Sequence, residues 1–142
     1  MSKFIILIGF LILSLFSCKS SLLNQTINKK REGYWIEKYT QDSSAYISFG
    51  NYKNDDPKKK WKHYKDSKLI KKEKYRGIRC YTRNYFENGK IQSKGETIFD
   101  NSTKYAHWYY NGIWDFYDEK GKLTTKRLYD QGKLVSETII NN

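Results

Sequence analysis

The residues of this chain that could move a proton, attack a bond or hold a metal are few, and their spacing decides against most of that chemistry. His63 and His107 are the only histidines, and each stands in a strand-like run between aromatic residues. Neither has a cysteine or carboxylate at ligand spacing, and the pairs that zinc sites need, Cys-x-x-Cys or His-x-x-x-His, do not occur. Carboxylates fall on turn-like segments, as in Asp55-Asp56, Asp118-Glu119 and Asp130, where such side chains bond local backbone. Cys80 lies in Ile78-Arg79-Cys80-Tyr81-Thr82, where the alternation of a strand turns Arg79 away from it, so a buried inert thiol is expected. No nucleophile elbow, Walker loop or dinucleotide fingerprint is present. The expectation is a protein that is not an enzyme and uses no cofactor or metal.

Aromatic rings are the remaining chemistry. Trp61, Trp108, Tyr110, Trp114 and Tyr117 stand out as rings able to hold a ligand by stacking or cation–π contact. The competing reading makes them core filler for a thin sheet, since Trp and Tyr bury large area while keeping a polar tip wet. On that second reading packing accounts for every ring, and no convergent set of polar groups is left to define a small-molecule site. Basic runs accompany the rings at Lys29-Lys30-Arg31, Lys58-Lys59-Lys60 and Lys71-Lys72-Glu73-Lys74. They read as solvated Lys-rich strand edges, the usual guard against edge-to-edge pairing. With 27 basic and 15 acidic residues the chain carries +12, which draws it to anionic surfaces but says little about fold.

The elements that must carry these residues are short strands. From Gly33 onward, runs rich in Tyr, Trp, Phe, Ile and Thr alternate with turn signals at Asp42-Ser43-Ser44, Asn54-Asp55-Asp56-Pro57, Asp66-Ser67, Asn88-Gly89, Asn101-Ser102, Asn111-Gly112, Lys120-Gly121 and Gln131-Gly132. That spacing predicts an all-β antiparallel meander, elongated, with a tight hairpin at Asn111-Gly112. A repeat is visible: Leu69, Ile91 and Ile113 are 22 apart and Leu134 follows after 21. Tyr64-Lys65-Asp66-Ser67-Lys68-Leu69 matches Phe86-Glu87-Asn88-Gly89-Lys90-Ile91, and Trp-x-x-Tyr occurs at Trp61 and Trp114, with Arg83 in the equivalent place between them.

The N-terminus points to export. Lys3 precedes an apolar run of 13 residues, Phe4 to Phe16, broken only by Gly9 and Ser14. A membrane-spanning helix needs about 20 apolar residues, so this run fits the helical core of a signal peptide. Leu15-Phe16-Ser17-Cys18 resembles the bacterial lipobox. The resemblance implies cleavage between Ser17 and Cys18, with acyl chains such as palmitate on Cys18 anchoring the protein to membrane lipid. Lys19 after the cysteine, by similarity to sorting rules in diderm bacteria, implies the outer membrane, on either its periplasmic or its surface face. Residues 1–17 are then the signal peptide, 18–32 the lipidated cysteine and a flexible tether, and 33–142 the repeat domain.

From Gly33 to Glu137 the repeat resembles the MORN repeat, especially the bacterial variant with Tyr-x-x-Gly-x-Leu followed by Gly-x-Trp-x-x-Tyr. The resemblance implies stacked β-hairpins and, through labels common in that family, an antitoxin-like role. Trp108-Tyr109-Tyr110 before a turn glycine is also similar to the wall-binding repeats of bacterial surface proteins, which implies amine or sugar ligands. The reading that results is a non-catalytic, lipid-anchored scaffold or interaction module of the cell envelope. Its partner is an envelope protein, with glycan or anionic head groups as the alternative, and nucleic acid is not expected.

Overall fold

The computed structural model describes residues 22–102 and 105–141. The signal peptide and Cys18 lie outside those residues. Aromatic and β-branched runs separated by two-residue turns leave the backbone one economical solution, in which each run pairs with the one before it. Ten strands result: β1 (Gln25–Ile27), β2 (Lys30–Gln41), β3 (Ser44–Lys53), β4 (Asp56–Lys65), β5 (Lys68–Arg76), β6 (Arg79–Tyr85), β7 (Ile91–Asp100), β8 (His107–Tyr117), β9 (Leu123–Asp130) and β10 (Lys133–Ile139). They form one antiparallel sheet in chain order, an all-β meander that does not close.

The turns are set by local chemistry. Asn28-Lys29, Asp42-Ser43, Asn54-Asp55, Asp66-Ser67 and Gln131-Gly132 each have positive φ at both positions. That is the type I′ signature, whose twist matches the strands it joins. Asn111-Gly112 is different. The expected hairpin there is an interior stretch of β8, where the pairing with β7 shifts register between Lys94 and Glu96. Gly112 keeps a positive φ of 67°, but it serves a bulge within a long strand and not a reversal of the chain.

Part of the segment expected as flexible tether, 18–32, is sheet. Residues 25–27 form β1 and pair with residues 30–32 of β2. Arg31, expected in a solvated basic run, is fixed by hydrogen bonds to Asp55 at 3.0 Å and Glu37 at 3.1 Å, and its guanidinium lies 3.8 Å from the Tyr52 ring centroid.

Alternation gives the sheet two unlike faces. One carries Trp61, Cys80, Thr82, Ser93 and Trp114, all buried. On this face Tyr75 of β5 meets Trp108 of β8 at 5.5 Å with two strands between them, so the sheet curls around it. A single layer therefore makes its own core by curling, helped by the right-handed twist of its strands.

Candidate functional site

Two matching stacks frame the site. Trp61 lies on Gly50 of the neighbouring strand, and Trp114 lies on Gly95 in the same way, so close that a Cβ at either glycine would come within 2.4 Å of the indole ring atoms. Each indole Nε1 donates to the carbonyl of the residue after its glycine, Asn51 at 3.1 Å and Glu96 at 2.9 Å. A register shift spans each glycine, which lets the ring settle onto bare backbone. The two tryptophans of the Trp-x-x-Tyr segments thus share one Gly–Trp packing unit, present in β3–β4 and again in β7–β8.

Between the copies the unit is missing its tryptophan. Arg83, which holds the equivalent place, projects from the opposite face, and on the curled face β6 offers Cys80, Thr82 and Asn84 instead. These smaller side chains leave a half-open groove of about 300 Å³. Lys71, Glu73 and Tyr75 of β5 form one wall, and Trp108, Tyr110 and Trp114 of β8 form the other. The volume sits at the small end of ligand pockets.

Contrary to the sequence expectation, polar groups do converge here. Glu73 accepts hydrogen bonds from His63 Nε2 at 2.7 Å and the Tyr75 hydroxyl at 2.9 Å, and its other oxygen pairs with Lys71 at 2.8 Å. Burial alone would raise the Glu73 carboxyl, but the His63 hydrogen bond and the Lys71 charge overcome it and hold the group at about 2. Burial, with the Glu73 carboxylate beside it, pushes the Tyr75 phenol well up and keeps it neutral. Burial likewise raises the Cys80 thiol, which gives this buried sulfur no thiolate character.

The chain of bonds continues to Ser48, whose Oγ lies 2.8 Å from His63 Nδ1. An ionised Glu73 only accepts, so His63 Nε2 carries a proton, and in the neutral ring Nδ1 accepts from the Ser48 hydroxyl. Serine, histidine and glutamate in this order resemble a nucleophilic relay. β3 is paired on both sides of Ser48, to Glu37 and to His63, which holds the three groups in register across β3, β4 and β5. The relay is a polar strut across three strands.

Of the five rings singled out from sequence, three come together. Trp108 is 38% and Tyr110 42% exposed at the groove, and Tyr110 stacks on Trp114 at 4.1 Å. Trp114 and Trp61 are only 1% and 3% exposed, so they serve the core and cannot offer an open ring face to a ligand. Trp61 also belongs to the other stack, and Tyr117 is on the opposite face, with Lys94 Nζ 5.2 Å from its ring. Lys71, Glu73, Tyr75, Thr82 and Asn84 were missed because only the strand pairing brings β5 and β6 beside β8. The available clue was the alternation Lys71, Glu73, Tyr75, polar groups on the same parity as a tryptophan one strand earlier. Among the described residues no group of three or more His, Cys, Asp or Glu is placed to hold a metal ion.

No family model matches the chain, and no curated protein is significantly similar to it. Among solved structures, a chain of "Crystal structure of GtfA/B complex" is similar over 75% of this chain at 12% identity, with a TM-score of 0.26. This chain spans 20% of that one, and a likeness so slight carries no argument about fold or function.

Proposed function

We propose that this protein is a non-catalytic binding module of the cell envelope, anchored through acylated Cys18, that takes a hydroxylated ligand such as a glycan in the groove between β5 and β8. One observation carries the reading: two partly exposed rings, Trp108 and Tyr110, face Lys71 and Glu73 of β5 across a groove to which β6 adds Asn84. A sugar ring needs an aromatic face for its C–H side and fixed donors and acceptors for its hydroxyls, and both are present before any ligand arrives. The anchor rests on the lipobox and the short apolar run before it.

The test is a tryptophan-fluorescence titration of the full-length protein in non-ionic detergent with soluble peptidoglycan fragments. Saturable quenching, lost in Trp108→Ala while far-ultraviolet circular dichroism is unchanged, is the expected result. Quenching that persists in Trp108→Ala, or its complete absence, sinks the groove reading.

A protein partner is the second reading. Ile113, 61% exposed, pairs directly with Leu128, 39% exposed, so an apolar patch stands on the opposite face at the C-terminal end of the sheet. Pull-down from an envelope fraction that fails equally with wild type and Ile113→Asp would remove it.

A further inference from the structure

Trp108 borders two cavities. One is the groove described above, where Tyr75 stands 5.5 Å from the indole. The other, of about 480 Å³, lies beyond Trp108 towards the turns that follow β3, β5 and β7, and Phe99 stands 5.2 Å from the same indole on that side. Strand direction puts the two in line. β5 and β8 run oppositely, so the chain from Lys71 through Tyr75 to Ile78 passes first the groove, then Trp108, then the second cavity. Residues rise by about 3.4 Å each, so Lys71 to Arg76 covers roughly 17 Å before the chain turns at Gly77 and Ile78. The Phe99 N–H donates to the Ile78 carbonyl at 2.7 Å, which fixes that turn against β7.

The second cavity repeats the chemistry of the first. Phe99 and Ile78, the latter 59% exposed, supply apolar surface, while Asp56 and Asn101 supply polar groups. Charge is matched in both cavities: Lys71 pairs with Glu73 at 2.8 Å, Lys58 with Asp56 at 3.4 Å and Arg31 with Asp55 at 3.0 Å. A net charge on a ligand therefore meets no unmatched partner there, whereas hydroxyls can use the remaining lone pairs and protons of these groups. An extended peptide adds to a sheet at an open edge, and β5 to β8 are paired on both sides.

We propose that the two cavities are consecutive subsites for a linear, uncharged glycan, which lies along β5 and β8 and stacks one sugar on Trp108 at the junction. The inference rests on the glycan reading of the groove and adds to it length, neutrality and a second set of contacts. A ligand whose apolar ring faces and hydroxyls recur along a chain matches a site in which apolar surface and polar groups recur along a strand. A single sugar covers only part of that length.

The experiment is calorimetric titration of the full-length protein, in a polyoxyethylene detergent that carries no sugar, with chitobiose and chitohexaose. The longer sugar should bind about tenfold more tightly or better, and raised salt should leave its affinity unchanged. Ile78→Ala combined with Asn101→Ala, both exposed and outside the groove, should bring chitohexaose down to the affinity of chitobiose and leave chitobiose unaffected. Equal affinity for the two lengths, equal loss of both sugars in the double variant, marked weakening by salt, or tighter binding of an uncharged Ser-Gly peptide of similar length would each overturn the proposal. Binding of chitobiose that Trp108→Ala abolishes, without any gain from length, would overturn the second subsite and leave the groove reading standing. No binding of either sugar would overturn the proposal, and the titration with peptidoglycan fragments would still decide the groove.

Discussion

Gly95 shows how much one hydrogen atom can matter in this sheet. Its missing side chain is the floor on which Trp114, the most buried large residue, comes to rest. Gly95→Ala must push the indole off the backbone and break its hydrogen bond to Glu96, which we expect to cost about 2–4 kcal/mol. Urea unfolding measures it, and a loss under 1 kcal/mol would mean that the ring can slide aside. Glu73 makes a second residue-scale case. Its carboxyl is lowered from 4.5 to about 2, so the folded state favours the ionised form. A depressed acid contributes its stability above its unfolded value and loses it as pH falls through the folded one. Stability due to Glu73 should thus be complete above about pH 4.5 and vanish towards pH 2, by up to about 3 kcal/mol. Glu73→Gln should flatten this part of the acid limb, and parallel pH profiles for variant and parent would refute the assignment.

At the scale of the element, β8 separates what the sequence could reveal from what it could not. The turn dipeptides with positive φ, such as Asp66-Ser67, are legible because their requirement is local. Asn111-Gly112 carries the same local requirement but sits inside a strand, since the neighbours Glu96 and Tyr129 pair with this stretch and extend the ladder through it. Local chemistry fixes the sign of φ, and only tertiary pairing decides between bulge and turn. The strain argument survives the change of context: Gly112→Val at a φ of 67° should still cost about 1–2 kcal/mol. Because β8 also presents Trp108 and Tyr110 to the groove, that substitution should disturb ligand-induced quenching as well as stability. A variant of lower stability with unchanged quenching would show that the bulge does not aim the rings. The groove itself was hidden for the same reason, as it lies where β6 lacks the tryptophan that β4 and β8 supply.

A meander in chain order means that each strand draws its support from its two neighbours, and among the described residues no second layer holds the ends. Burial is correspondingly uneven. Cys80, Thr82, Ser93, Gly95 and Trp114 concentrate it in β6 to β8, whereas every residue of β10 is exposed and β1 contributes three residues to one partner. Opening free energies follow local burial and pairing, so the sheet should not behave as one unit. Native-state hydrogen exchange should find the slowest amides in β6, β7 and β8, on both sides of the Gly95–Trp114 stack. Protection should fall towards β3 despite the Gly50–Trp61 stack, because only β2 and the short β1 lie beyond it. Amides of β1 and β10 should exchange fastest. Occupation of the groove joins β5 to β8 and should raise protection in those strands while leaving β1 and β10 as they were. Uniform protection from β2 to β10 would show that the sheet opens as a single cooperative body, and the neighbour-by-neighbour account of its stability would then fail.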